Sequence, residues 1–283
     1  MIEFAAATHP GLKRSNNEDC YEADPARSLW LVADGVGGHA DGEVASRLVA
    51  ETIKSCFSSG SSLTQSVHSA HQAVLSEIAQ RGSGANMGST VVALAIEDNG
   101  YSLVWVGDSR AYLWNGRTLN QLTRDHTRIA RLMEQGVVTF KEARTHPARH
   151  VLTQSLGVSP NMAIKPEQVG GKLGEGNQIL LCSDGLTDEL DDREIAEVLQ
   201  SHRSAQSRVD ALVRAAIEAG GSDNITAVLV GRESDKTCDD QGKARDSSAF
   251  DESGRQRKSW LKTAFLAVLA TLLVVALTWT FTG

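Results

Sequence analysis

Four acidic residues in this sequence each lie beside a short apolar run. Asp34, Asp108 and Asp184 follow such runs, and Asp223 precedes another. Short apolar runs bounded by glycine or polar residues predict buried strands. Carboxylates gathered in one place repel one another, so acids carried at the ends of four strands favour divalent cations as partners. The pattern predicts an oxygen-rich metal site.

The segment around Asp34 also has a simpler interpretation. Asp34 is followed by Gly35-Val36-Gly37-Gly38, and Asp-Gly alone is typical of a hairpin turn. A nucleotide-binding phosphate loop does not fit, because no Gly-Lys-Ser/Thr follows the glycines. The recurrence of the same arrangement at three other apolar runs favours the metal site over four independent turns.

Composition excludes several classes of protein. The chain has 283 residues and a formal net charge of −7, and no basic stripe occurs in the first 230 residues, which argues against a nucleic-acid-binding protein. The four cysteines show neither disulfide nor metal-ligand spacing, which is typical of reduced thiols in a cytosolic compartment. Cys182 falls in a predicted core strand, so we expect it to have a packing role.

The elements that must position the acids are strands and helices. Apolar residues at helical spacing predict helices over 42–57, 63–81 and 207–219. On the second of these, His71 is expected at the surface or flank. The runs 90–96, 102–106 and 110–114 predict strands, with Asn-Gly turn residues near two of them. This turn chemistry predicts antiparallel pairing.

Six ordered motifs resemble those of the metal-dependent protein phosphatases of type 2C, the PPM family, in its bacterial form. The motifs are Arg14–Asp19, Asp34–His39 with Gly42-Glu43, Met87–Thr90, Val106–Arg110, Leu180–Gly185 and Gly221–Thr226. They span roughly residues 1–231, which we expect to form the phosphatase domain. The resemblance implies an α+β fold of two packed antiparallel β-sheets flanked by helices, an α-β-β-α sandwich.

The resemblance also implies a ligand set for two metal ions. Asp34 would bridge the ions, Asp184 and Asp223 would complete the shell of one, and the Gly35 carbonyl and Glu18 would complete the shell of the other. Oxygen ligands without cysteine or histidine favour Mn²⁺ or Mg²⁺ over Zn²⁺.

Two further acids extend this set. Asp19 would order a metal-bound water, and Asp108 with Asp184 resembles a third, weaker metal site of bacterial members. The alternative for Asp108 is a structural carboxylate in a turn. The expected cofactors are therefore two or three Mn²⁺ or Mg²⁺ ions.

Arg14 and a histidine complete the implied catalytic set. The planar guanidinium of Arg14 matches two phosphoryl oxygens, although a surface salt bridge with Glu18 is the alternative. The leaving alkoxide needs a proton, and His39 or, less specifically, His146 could supply it. Animal members carry the histidine directly after Asp-Gly, where this chain has Val36, so a metal-bound water is the alternative acid.

The implied activity is hydrolysis of phosphoserine and phosphothreonine in proteins by a water that two metal ions activate. The expected partners are phosphorylated Ser/Thr proteins and a bacterial Ser/Thr kinase whose action the enzyme reverses, and we expect a monomer. The alternative is a degenerate phosphatase that binds phosphoproteins without hydrolysing them. Intact Arg14, Asp34, Asp184 and Asp223 argue against that alternative.

The C-terminal part of the sequence has a different character. Residues 232–259 mix both charges with Ser, Gly and Gln, which predicts a flexible linker. Residues 260–283 contain an uncharged apolar stretch of about 20 residues, the length that spans a bilayer, with tryptophans near both ends. Basic residues before it place the catalytic domain in the cytoplasm by the positive-inside rule. We therefore predict a single-pass anchor in the cytoplasmic (inner) membrane, with a buried C-terminal helix as the alternative.

Overall fold

The computed structural model describes residues 2–37, 40–82, 86–143, 145–157 and 163–232. These residues belong to one compact unit. His39 and the predicted transmembrane segment lie outside them, as does all of the predicted linker except residue 232, so the boundaries of the linker and the anchor stay predictions. Among the residues that the structure describes, no helix is both long and apolar enough to cross a bilayer.

Eleven strands and seven helices make up the described chain. The strands are β1 (Ile2–His9), β2 (Asp19–Asp24), β3 (Leu29–Gly37), β4 (Met87–Ser89), β5 (Val91–Glu97), β6 (Gly100–Val106), β7 (Arg110–Trp114), β8 (Leu119–Gln121), β9 (Glu167–Lys172), β10 (Gln178–Cys182) and β11 (Ile225–Arg232). The helices are α1 (Ala40–Ser58), α2 (Leu63–Arg81), α3 (Arg128–Glu134), α4 (Phe140–Ala143), α5 (Asp184–Thr187), α6 (Asp192–Ser201) and α7 (Ala205–Ala219).

The strands form two antiparallel sheets. One has the order β1-β11-β10-β7-β8 and the other the order β2-β3-β5-β6-β9, with β4 pairing on β3. The predicted hairpins are confirmed, since β5 pairs with β6 and β7 pairs with β8. The strands β6 and β7 do not pair, because the chain passes from one sheet to the other between them.

Alternating side chains on the strands create three layers of apolar packing. On β3, Leu29 and Leu31 pack towards α1 and α2, whereas Trp30 and Val32 pack between the two sheets. On β10, Leu180 and Cys182 pack beneath α6 and α7. Helices therefore cover the outer face of each sheet, and the predicted sandwich of two antiparallel sheets flanked by helices is confirmed. Cys182 is fully buried, as its packing role requires.

Two local predictions are wrong. Asp34 lies within β3 rather than at a strand end, because Gly35–Gly37 continue the strand and pair with Met87–Ser89. His71 is buried at 4% exposure rather than at the surface, and its Nδ1 accepts the N–H of Gly157 at 3.1 Å. In both cases contact with a segment distant in sequence explains the difference.

Candidate active site

The predicted acids meet in one cleft of about 810 Å³. Of the predicted site residues, those lining it are Arg14, Glu18, Asp34, Gly35, Asp108, Asp184 and Asp223. Asp19 lies beneath them and is buried. His39 is outside the described residues, and His146 is not among the described residues that line the cleft. The structure thus brings together all the predicted metal ligands whose positions it describes.

Two hydrogen bonds between its backbone and Thr90 fix the position of Asp34. Its N–H donates to Oγ1 of Thr90 at 3.1 Å, and the N–H of Thr90 donates to the Asp34 carbonyl at 2.8 Å. The Thr90 hydroxyl also shares a 2.7 Å hydrogen bond with Ser109. Across β2 and β3, Asp34 is in register with Asp19. The sheet therefore fixes two carboxylates side by side, and the threonine links them to the turn that carries Asp108.

Glycines allow the ligand-bearing segments to approach closely. A Cβ at Gly35 would overlap the carbonyl oxygen of Gly42, and a Cβ at Gly42 would overlap the Glu18 carboxylate. The Gly35 N–H donates to the Glu18 carbonyl at 3.1 Å. A side chain at Gly35 would require the backbone to move, and one at Gly42 would displace the Glu18 carboxylate, so the first turn of α1 packs directly against Glu18.

Asp19 is a buried carboxylate with one satisfied oxygen. Its Oδ2 accepts hydrogen bonds from the hydroxyls of Ser183 and Thr226, each at 2.7 Å. Its Oδ1 is buried and has no hydrogen-bond partner among the described residues. Burial, more than neighbouring charge, raises the pKa of Asp19 to about 7. An orphaned buried oxygen of this kind fits a cation or an ordered water beside it.

Asp34 and Asp108 have pKa values well above the usual range for a carboxyl. The main cause is burial, and the second is repulsion from surrounding acids: Asp19, Asp184, Asp108 and Asp223 act on Asp34, while Asp184 and Asp125 act on Asp108. Within the described ranges, neither Asp34 nor Asp108 forms an ion pair with lysine or arginine. The donor set is all oxygen, so its chemistry fits hard divalent cations.

Arg14 lies at the edge of this cluster. Its Nη2 donates to Oδ2 of Asp223 at 2.7 Å, and its side chain is 54% exposed. Arg14 therefore pairs with Asp223 rather than with Glu18, the alternative partner, and Glu18 accepts a hydrogen bond from Nδ2 of Asn16 at 3.2 Å. The hydrogen bond to Asp223 raises the pKa of Arg14. The guanidinium is thus charged and presents further donors to the cleft.

Asn224 was not predicted as a site residue, although the motif Gly221–Thr226 contains it. Its Nδ2 donates to the carbonyls of Pro10 and Asn16, both at 2.9 Å, and its Oδ1 accepts the Glu18 N–H at 2.8 Å. One amide therefore ties the Arg14-bearing loop to the start of β11.

Among the described residues, His150 is the histidine that lines the cleft, and sequence reasoning missed it. Its Nδ1 lies 3.6 Å from Oδ2 of Asp184, and its Nε2 lies 3.6 Å from Oδ2 of Asp188. The neighbouring Asp184 carboxylate raises the pKa of His150. Arg149 pairs with Asp188 at 2.9 Å. His146, the residue named from sequence, instead accepts the N–H of Ala148.

The turn that carries Asp108 is fixed by a second histidine. Gly107 has a φ of +111°, which L side chains rarely adopt. Its N–H donates to Nδ1 of His126 at 3.1 Å, and its carbonyl accepts the His126 N–H at 2.9 Å. His126 therefore joins the Asp108 turn to the segment that begins α3.

Comparisons with known proteins agree with this geometry. Residues 13–229 match the family model described as Protein phosphatase 2C. The chain is 35% identical to the serine/threonine protein phosphatase PstP of Mycobacterium tuberculosis over 81% of its own length and 45% of that protein, so it spans less than half of this relative. It is 34% identical to protein phosphatase PhpP of Streptococcus pneumoniae, over 81% of this chain and 97% of that protein.

Solved structures give the same assignment. The crystal structure of PstP superposes with a TM-score of 0.76 at 33% identity, over 82% of this chain and 99% of that one. A structure of the PstP catalytic domain in complex with two manganese ions has a TM-score of 0.74 at 31% identity, with the same coverage. The chain belongs to the protein phosphatase 2C family.

Proposed function

We propose that this protein is a metal-dependent phosphatase that hydrolyses phosphoserine and phosphothreonine in proteins. The observation that carries the proposal is the cluster of buried and half-buried carboxylates beside Arg14. Three of these acids, Asp19, Asp34 and Asp108, have raised pKa values, and Asp34 and Asp108 have no ion-pair partner among the described residues. Such a cluster opposes folding unless cations neutralise it, which gives the carboxylates a use other than stability.

The residues that would hold Mn²⁺ or Mg²⁺ are those that line the cleft. Asp34, Asp184, Asp223, Glu18 and the Gly35 carbonyl would form the two-ion site. Asp19 would position water, and Asp108 would serve a third ion. When bound, the ions would neutralise phosphoryl charge and lower the pKa of a water.

Arg14 would bind the phosphoryl group. Its planar fork carries several N–H donors, and only the one from Nη2 is used by Asp223. Because Asn224 fixes the loop that carries Arg14, the guanidinium is positioned before substrate arrives. His39 stays our predicted proton donor to the leaving alkoxide.

A binding module without turnover is the second candidate. It would keep the cleft and Arg14 but release no phosphate. The two are separated by incubating the full-length protein and Mn²⁺ with a phosphothreonine peptide while peptide binding and phosphate release are both measured. Binding with release supports the enzyme. Binding of the intact phosphopeptide without release, in both Mn²⁺ and Mg²⁺, contradicts it.

We further propose that residues 260–283 anchor the protein in the cytoplasmic membrane and that it counteracts a Ser/Thr kinase there. The support is the length of the apolar stretch and its basic flank. If residues 232–259 are flexible, they give an r.m.s. reach of about 30 Å. The linker would then raise the effective concentration of membrane-bound phosphoproteins.

Membrane fractionation tests the anchor. A charge at the centre of a transmembrane helix opposes insertion by about 2.5–3.5 kcal/mol, so Val274→Arg should move the full-length protein into the soluble fraction. Ser247→Arg, in the predicted linker, is the matched control and should stay with membranes. Recovery of the wild type in the soluble fraction without detergent contradicts the anchor.

A further inference from the structure

A second cleft, of about 660 Å³, adjoins the carboxylate cleft. The two clefts share one wall, which consists of Asp108, Arg149, His150, Asp184 and Asp188. We call the second one the side cleft. The side cleft therefore adjoins the site where the proposed reaction occurs, and a polypeptide whose phosphoryl group reaches the carboxylates can extend across the shared wall.

The floor of the side cleft is apolar. Six apolar residues line it: Ile129, Ala130, Met133, Phe140, Ala143 and Leu190. Phe140 is 76% exposed, the largest exposure among the large hydrophobic residues that the structure describes. An exposed apolar surface beside an active site gains free energy when another apolar group covers it.

The charges around the side cleft are partly matched within the protein, although Asp108, Asp191 and Asp192 have no lysine or arginine partner among the described residues. Arg110 pairs with Asp125 at 2.7 Å, and Arg149 pairs with Asp188 at 2.9 Å. Arg124 pairs with Glu134 at 2.8 Å. An acidic ligand would meet these unpaired acids and compete with the pairs, whereas an apolar ligand would do neither. The apolar lining therefore offers a recognition surface that breaks no ion pair.

We propose that the side cleft binds an apolar side chain of the substrate polypeptide, close in sequence to the phosphorylated residue. This inference rests on the proposed function and adds a substrate class to it, namely phosphoproteins with a large aliphatic or aromatic residue flanking the phosphosite. Apolar subsites discriminate modestly, so the expected preference for leucine over alanine is about tenfold in kcat/KM.

Phosphothreonine peptides test the proposal. One set carries leucine, alanine, lysine or glutamate at each of four positions on either side of the phosphothreonine, with alanine elsewhere. p-Nitrophenyl phosphate, which has no flanking chain, reports the reaction alone. We expect one position at which the full-length protein prefers leucine over alanine by about tenfold, with lysine and glutamate no better than alanine.

Variants in the side cleft test whether its lining residues cause the preference for leucine over alanine. Met133→Glu puts a charge on the floor and should bring the leucine-to-alanine ratio to about one. Phe140→Ala removes an exposed aromatic side chain that lines the cleft, with little risk to folding, and should lower the leucine-to-alanine ratio. Val137→Glu is the matched control, because Val137 is 65% exposed on the same segment and does not line the cleft. All three should hydrolyse p-nitrophenyl phosphate like the wild type.

Each remaining outcome is informative. A wild-type ratio near one at every position, or a ratio that survives both Met133→Glu and Phe140→Ala, overturns the inference while leaving the phosphatase intact. If sedimentation shows that Phe140→Ala changes the oligomeric state but not the ratio, the occupant is a second copy and the inference is wrong. Absence of turnover on peptides and p-nitrophenyl phosphate alike contradicts the proposed function itself.

Discussion

Two groups of acids in this protein have opposite electrostatic surroundings. Asp125 lies against Arg110, which reaches it with Nε and Nη2, the closest approach being 2.7 Å. Asp34 and Asp108 lie among other carboxylates, and their pKa values are raised well above the usual range. The chain therefore supplies an arginine where a half-buried acid serves the fold. It leaves the carboxylates of Asp34 and Asp108 without an arginine or lysine partner in the described part of the chain, at the site where a cation from solution would serve the reaction.

The largest effect is expected from Asp34→Asn. Loss of one ligand at the centre of the cluster should lower turnover of a phosphothreonine peptide on the order of 10³-fold, the scale of removing one preorganised electrostatic partner. A raised folded pKa means that the ionised Asp34 opposes folding at neutral pH, so without metal the variant should melt above the wild type. Asp210→Asn, on α7, is the control for both measurements, and a variant that keeps wild-type turnover removes Asp34 from the site.

Arg14→Ala tests whether Arg14, at the edge of the carboxylate cluster, binds the phosphoryl group. We expect kcat/KM to fall by about 10–100-fold, with both a higher KM and a lower kcat, because Arg14 would contact the phosphoryl group in the ground state and the transition state. Arg14→Lys should recover little, since the fork is lost. Arg47→Ala removes an arginine of similar exposure that pairs with Glu43. Equal kinetics for the Arg14 and Arg47 variants would assign Arg14 to a surface ion pair.

Asp125→Asn should have the opposite effect on stability from Asp34→Asn. It leaves Arg110 without its carboxylate, and breaking a buried pair typically destabilises by 3–5 kcal/mol. Here the two side chains keep 26% and 17% exposure, so we expect about 2 kcal/mol, measured by denaturant unfolding in a chelator. If both variants shift the free energy of unfolding in the same direction, the contrast between the two groups of acids is wrong.

The smallest effect concerns His71. Burial lowers the pKa of His71 below its usual value, so below about pH 6.5 the unfolded chain binds a proton that the folded chain excludes. This contribution to stability should decrease as the pH falls from 7.5 to 5.5. His71→Asn, whose side-chain oxygen can accept the Gly157 N–H, should lose less free energy of unfolding than the wild type over that range, by about 1 kcal/mol. Parallel pH curves for the two proteins would refute this assignment.

The apolar runs predicted the strands that carry the acids, whereas the two-sheet sandwich was implied by the resemblance to the PPM family. Each of the four strand-adjoining acids, Asp34, Asp108, Asp184 and Asp223, lies beside an apolar run that can be recognised in the sequence by itself. Alternation of side chains along those runs places them in the layers of the core. The residues that were missed depend on packing between distant segments. Nothing near His150 in the sequence indicates that it meets Asp184, because that contact depends on how the segment after α4 folds over the cleft.

The glycines after Asp34 show a similar limit. Asp-Gly predicts a turn from local preference, but pairing of Gly35–Gly37 with Met87–Ser89 extends the strand instead. The partner strand follows two helices, α1 and α2, so no local pattern reveals it. Asn224 was within a quoted motif, yet its three hydrogen bonds to the loop of residues 10–18 became evident only when that loop was placed.

The central claim is that the carboxylate cluster is an active site completed by divalent cations. The most direct test measures phosphate release from a phosphothreonine peptide by the full-length protein as Mn²⁺ is titrated, with Asp34→Asn measured alongside. The account predicts no release in excess chelator, recovery with added Mn²⁺ for the wild type, and none for the variant. Full activity in chelator, or loss of activity by thiol alkylation alone, would contradict it.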